Sequence, residues 1–254
     1  MKIKAFIIIL FLSGCVFSWA EGPDVKQILI DIDNLSNFED KDFSCIYKIV
    51  TEKPGEEQSA TEALLFRRDR KDQFVLIINK PKAQKGQGYL QIDDNVFFYD
   101  PDSREFEHSS LSENITDSDA KNSDFSQYSL SEDYNVESWE EGIFGSGAEA
   151  LPVYILFLKA KNKDVSYDRM KIWVYPQLNL LLKSEEYGFS GNLMRTTQYF
   201  DYKEISKGKM IPTRILMTDN LNIGEKTQVT LSSPSVNTLP DDIFSKNFLE
   251  RVNQ

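Results

Sequence analysis

The chain has 254 residues, a formal net charge of −11 and 41% hydrophobic residues, which fits one large folded domain with a sizeable core and not a disordered chain. Its 40 acidic residues outnumber 29 basic ones, so no basic stripe is available to neutralise phosphates, and nucleic acid is excluded as a natural partner. The same balance argues against charge-driven attraction to an anionic lipid surface.

Residues 1–20 read as an export signal, with Lys2 and Lys4 ahead of the apolar run 5–12. No later run approaches the roughly 18 apolar residues of a membrane span. Two endings compete. Ser18-Trp19-Ala20 before Glu21 places small residues at the two positions a signal peptidase reads, whereas Leu12-Ser13-Gly14-Cys15 resembles a lipobox, which would make Cys15 a lipidated N-terminus. The greasy Val16, Phe17 and Trp19 are a poor tether after Cys15, which favours cleavage after Ala20 and a single domain over residues 21–254. Cys45 then has no intramolecular partner, and a lone Cys in a strand reads as a small buried hydrophobe.

Residues 23–35 are the clearest helix. Pro23 sits where a first turn tolerates it, and Val25, Ile28, Leu29, Ile32 and Leu35 repeat at helical spacing. Such an amphipathic helix must lie on something apolar. Strands are expected over 43–51, 61–68, 73–79, 89–92 and 96–99, with charged turns at Asp69-Arg70-Lys71-Asp72 and Asp93-Asp94-Asn95. Further strands are expected over 153–160, 170–175, 180–187, 193–202, 210–218 and 225–232. About eleven strands at hairpin spacing argue a mainly β, antiparallel sheet or barrel. Between residues 107 and 150 the pattern gives way to Ser, Asp, Asn and Glu with scattered Leu111, Ile115, Phe125, Tyr128 and Leu130. This stretch reads as short helices forming a mobile cover, with disorder an equal alternative for 112–122.

A one-sided sheet alternates apolar with polar residues, but here Val96 and Phe98 point one way while Phe97 and Tyr99 point the other. Met170, Ile172 and Val174 oppose Trp173 and Tyr175 in the same manner. The surplus apolar surface either lines a cavity or is covered by loops and the helix. Lining residues on the cavity reading are Tyr89, Ile92, Val96, Phe98, Ile172 and Val174, with Ile28 and Ile32 from the helix.

Nothing in the chain reads as catalytic, cofactor-binding or metal-ligating. The one histidine, His108, reads as a solvated residue of a polar loop, and Gly145-Ser146-Gly147 is a glycine-rich turn without the context of a nucleophile elbow. Asp93 with Asp94 and Asp117 with Asp119 read as solvated turns. Pro212 is expected at a strand start or edge, and Asp241 and Asp242 as caps of a short C-terminal helix.

An ordered set of segments resembles the bacterial outer membrane lipoprotein-sorting proteins, related to the LolA/LolB-like periplasmic lipoprotein carriers. It comprises Gly86, Gly88-Tyr89-Leu90, Val96-Phe97-Phe98-Tyr99 with Pro101, Ser123-Asp124-Phe125-Ser126, Ile172-Trp173-Val174, Ile211-Pro212-Thr213-Arg214, Met217-Thr218-Asp219, Leu239-Pro240-Asp241-Asp242-Ile243-Phe244 and Phe248-Leu249-Glu250-Arg251. Where family members often follow the Ser-Asp-Phe-Ser segment with Tyr and an acidic pair, this chain has Gln127-Tyr128-Ser129-Leu130. The resemblance implies a curved antiparallel half-barrel with helices covering its concave mouth. It further implies a non-enzymatic periplasmic carrier that holds acyl chains of a lipoprotein or lipid and takes part in outer-membrane lipoprotein sorting, with an inner-membrane transporter as a further partner. The alternatives are an adaptor docking on an envelope transporter or assembly machine, and a membrane-anchored lipoprotein held through Cys15.

Overall fold

Two meanders meet in the middle of one sheet. In the computed structural model, which describes residues 22–127, 129–163 and 165–253, strands β1 (Asp42–Glu52), β2 (Ser59–Arg68), β3 (Gln73–Lys80), β4 (Gly88–Ile92), β5 (Asn95–Asp100) and β6 (Glu105–Ser109) run outward in sequence order. Strands β7 (Tyr134–Phe144), β8 (Leu151–Ala160), β9 (Arg169–Tyr175), β10 (Leu180–Tyr187), β11 (Leu193–Ser206), β12 (Lys209–Asp219) and β13 (Lys226–Asn237) run back from the opposite edge, and β13 pairs with β1. The result is a 13-stranded, wholly antiparallel, open curved sheet, mainly β as expected. The export signal and Cys15 lie outside the described residues.

This topology has one consequence for function. Because β6 and β7 are the two edges of the sheet, the chain between them has to travel from one edge to the other, and its described residues, 110–127 and 129–133, lie over the concave face.

The eleven expected strands are all present, and β6 and β7 are additional. β7 falls wholly inside the stretch 107–150 expected to form short helices, and β6 runs into its start. Edge strands with polar or charged outer faces lack the apolar alternation that marks an inner strand, so Glu105–Ser109 and the Glu-rich Tyr134–Phe144 carry no such signal. The described residues between them fold as compact turns. Asn114 and Lys121 form a β-bridge, Asn122–Asp124 make a 3-10 turn, and α2 (Leu130–Asp133) is a single helical turn.

Helix α1 (Val25–Ser36) begins two residues after Pro23, because Asp24 caps it by accepting a hydrogen bond from the Gln27 N–H at 3.1 Å. Its Ile28, Leu29 and Ile32 are buried. At the other terminus a 3-10 turn (Asp241–Phe244) precedes helix α3 (Lys246–Arg251), and the cap is Ser245, not the expected aspartates. Asp241 instead pairs with Arg68, and Asp242 with Arg251. Pro212 sits in β12 where β13 no longer pairs alongside, so its missing N–H breaks no ladder bond on that side.

The apolar residues on two faces are thereby explained. On the convex face Val75, Ile77, Leu90 and Tyr99 are covered by Phe244 and Leu249. The covering is close: a Cβ on Gly88 would lie 2.6 Å from Leu249 Cδ2.

Candidate functional site

The concave face carries two apolar clusters. One, formed mainly by β1–β4, β12 and β13, contains Phe43, Cys45, Tyr47, Leu65, Phe74, Leu76 and Leu231, and the crossing segment inserts Ile115, Ala120 and Phe125 into it. All three inserted residues are buried, and the Phe125 ring meets Tyr47 edge-on at 5.2 Å. The other cluster seats Ile28, Leu29 and Ile32 of α1 on Leu156, Leu158, Ile172, Val174 and Leu181, with Leu130 and Tyr134 at its margin.

The residues expected to line one cavity divide among three places. Ile28, Ile32, Ile172 and Val174 come together under α1. Tyr89 and Phe98 join the cluster beneath the crossing segment, with ring centroids 5.2 Å apart, and buried Val96 shares their side of the sheet. Ile92 packs on the convex face with the C-terminal cover. The reason is alternation: Tyr89 and Ile92 are three residues apart on one strand and so point to opposite faces.

The concave face is filled by the protein's own side chains. The pit beside α1, lined by Ile32, Leu35, Leu180, Leu181 and Tyr202, holds only about 10 Å³, too little for a ligand. A larger cleft of about 370 Å³ between the end of α1 and the turn before α2 is polar, lined by Asp33, Asn34, Glu39, Asp69, Arg70 and Glu132 among others.

Polar clamps hold the crossing segment over the apolar face. Buried Arg195 of β11 grips Asp124 through two hydrogen bonds, Nη1 to Oδ2 at 2.6 Å and Nη2 to Oδ1 at 2.8 Å. It also donates to the Asp119 carbonyl at 2.9 Å and to Glu186 Oε2 at 2.6 Å. Burial opposes its charge, but Asp124 and Glu186 outweigh that and hold the guanidinium well above its usual pKa. Thr227 Oγ1 donates to Asp119 Oδ2 at 2.8 Å and accepts from the Asp119 N–H at 3.0 Å. Thr116 N–H donates to the Tyr89 hydroxyl at 3.1 Å, and Arg67 Nη1 to the Ser126 carbonyl at 3.1 Å. Farther along, Asp33 of α1 accepts from the Leu130 and Ser131 N–H groups at 3.0 and 2.8 Å, and burial pushes its carboxyl pKa up against those bonds.

Arg67, Arg195 and Arg214 do not converge on one anion site. The first two pin the crossing segment at separate points, while Arg214 pairs with Asp201 at 2.9 Å. Asp119, Asp219 and Glu225 place one carboxylate oxygen each within 4.8 Å of one another, a donor set of the kind that suits a hard cation. Asp119 is already engaged by Thr227, and Asp219 accepts from the Leu221 and Asn222 N–H groups and the Asn222 amide.

An open antiparallel sheet whose concave apolar face is covered by a helix and a crossing segment defines a LolA-like half-barrel. A LolA superfamily protein from Nitrosomonas europaea superposes with a TM-score of 0.75 at 25% identity, over 88% of this chain and 98% of that one. A structure described as an outer membrane lipoprotein-sorting protein domain, from Vibrio parahaemolyticus, gives a TM-score of 0.76 at 19% identity over 89% of this chain and 98% of that one. A DUF1329 family protein from Desulfovibrio piger gives 0.76 at 18% identity over 88% and 97%. Comparison with curated proteins gives no match. Residues 70–251 match the model of a family described as "Uncharacterized protein", and the chain belongs to that family. No helix among the described residues is long and apolar enough to cross a membrane.

Proposed function

We propose that the protein is a periplasmic, non-catalytic carrier that holds the acyl chains of a lipoprotein or lipid on the concave face of its half-barrel and takes part in outer-membrane lipoprotein sorting. An inner-membrane transporter is the proposed donor of its cargo. The observation that supports this most is the crossing segment. Ile115, Ala120 and Phe125 fill an apolar face from a stretch with little regular secondary structure, fastened by side-chain clamps and not by strand pairing to the sheet. Such a plug can be exchanged for another apolar group without unravelling the thirteen strands. Each methylene that replaces it contributes roughly 0.8 kcal/mol, so a long acyl chain compensates for the loss of the plug and its clamps. Release is the harder step, and the returning segment supplies a competitor for the same surface.

The test is native mass spectrometry of protein purified from a periplasm without detergent, followed by organic extraction. Adducts of lipid mass are expected, and they should disappear in Phe98→Asp, whose fold is checked by circular dichroism. A pinned variant, Asp119→Cys with Thr227→Cys, joins side chains that meet at 2.8 Å. Oxidised, it should fail to exchange lipid with vesicles, and reduced it should recover. A protein free of lipid that exchanges none in either redox state would refute the carrier.

A further inference from the structure

The sheet has one long edge with nothing paired to its outer side among the described residues. In the ladder β7 pairs only with β8, and seven of its eleven residues are exposed. The other edge, β6, has five residues. An open edge of this length is a template for a further strand, and proteins usually blunt such edges with lysine, proline or a bulge. In β7 there is one irregularity, between Val136 and Ser138, and beyond it the edge runs on through Trp139, Glu140, Glu141, Gly142 and Ile143 without proline or lysine.

The side chains along that stretch describe what would fit. Beyond the irregularity, Trp139, Glu141 and Ile143 pair with Leu156, Tyr154 and Pro152 and share the concave side, while Glu140 points to the convex side. Trp139 and Ile143 remain 38% and 66% exposed, and the Trp139 ring is braced edge-on by Tyr154 at 5.7 Å. Glu137 pairs with Arg169 at 3.2 Å, but Glu140 and Glu141 have no ion pair among the described residues. A second copy of the chain is a poor occupant, because β7 paired with itself would gather six glutamates against two Arg169 side chains. Basic residues placed across from Glu140 and Glu141 are favoured by the same rule that opposes like charges in cross-strand pairs.

We propose that β7 is a strand-addition site for an extended segment of a partner protein, with basic residues opposite Glu140 and Glu141 and apolar residues against Trp139 and Ile143. Main-chain bonds along the edge would give affinity, and the two glutamates would select sequence and orientation. The site lies at the margin of the concave face and does not depend on the carrier reading.

The probe is a labelled ten-residue peptide with a central Lys-Lys pair flanked by Val and Thr, compared with its Glu-Glu twin. The Lys-Lys peptide should bind at least ten-fold more tightly by fluorescence anisotropy and slow hydrogen exchange within residues 134–144. Methylating alternate peptide nitrogens should abolish binding. Glu140→Lys with Glu141→Lys alters exposed side chains only and should reverse the preference in favour of the Glu-Glu twin. Equal affinity for the twins, or protection elsewhere in the sheet, would overturn the proposal. So would concentration-dependent protection of 134–144 without peptide, which would mark a second copy as the occupant.

Discussion

Arg195 and Asp124, 71 residues apart in the chain, meet side-on through two charge-assisted hydrogen bonds of 2.6 and 2.8 Å, and this pair fastens the crossing segment to the sheet. In Asp124→Asn the guanidinium keeps Glu186 at 2.6 Å, so no charge is left orphaned and the loss is confined to the segment. A hydrogen bond to a charged group contributes about 1.5–3 kcal/mol. Hydrogen exchange across residues 111–126 should therefore quicken by roughly ten- to a hundred-fold, with the strands β1–β4 little changed. Uniform acceleration throughout the sheet would mean that the segment does not move independently of the fold.

Cys45 offers a second view of the same motion. It lies under the crossing segment, in the cluster with Ile115 and Phe125, and burial pushes its thiol pKa up to about 12. The native protein should resist a thiol reagent at pH 8 and react fully once unfolded. Asp124→Asn should raise the native labelling rate more than its global unfolding rate. Labelling that tracks global unfolding in both proteins would count against local opening.

Helix α1 and eleven strands were legible because their apolar residues repeat at 3.6 or 2, and the LolA-like architecture followed from the ordered segments. β6 and β7 were not, since an edge strand carrying Glu105, Glu107, Glu140 and Glu141 looks like any polar loop. The covered face was half legible. Phe98 and Ile172 announce grease on both sides of a sheet, but alternation alone does not say whether a ligand, a loop or a helix covers it. The clamps were illegible. Asp119 reads as a solvated turn residue and Asp124 only as part of the Ser-Asp-Phe-Ser segment, because Thr227 and Arg195 reach them from strands 108 and 71 residues distant. Only the topology, with β6 and β7 at opposite edges, brings those partners together.

Acid should act on the convex side through Asp42. Burial alone would push its carboxyl up, but hydrogen bonds from Arg68, the Leu239 N–H and Arg70 outweigh that and hold it at about 2. A carboxyl depressed in the folded state contributes stability that is complete above its unfolded pKa near 3.9 and is lost as pH falls through the folded value. That contribution is about 2 kcal/mol. Urea unfolding of wild type and Asp42→Asn should therefore differ most above pH 5, and the gap should close by about 2 kcal/mol on approaching pH 2. Asp33 has the opposite sign: its pKa is raised by burial, so its term favours the folded state at low pH and fades as pH rises through its folded pKa. A gap that stays constant from pH 6 to pH 2 would remove Asp42 as the acid-sensitive group.

The convex cover can be tested by a double-mutant cycle between Gly88 and Leu249. Leu249 is fully buried, and its truncation in Leu249→Ala should cost about 2–5 kcal/mol, as for other core leucines. Gly88→Ala places a methyl where Leu249 Cδ2 now lies, 2.6 Å from the new carbon. Leu249 is fully buried in the cluster with Phe244 and Tyr99, so overpacking there should cost about 1–3 kcal/mol. In the double variant the added methyl enters the space that Leu249→Ala vacates. Its destabilisation should fall short of the sum of the single costs by about 1 kcal/mol or more, a coupling expected only for side chains in contact. Strict additivity in chemical unfolding would mean that α3 does not rest on β4, leaving Val75, Ile77, Leu90 and Tyr99 in want of another cover.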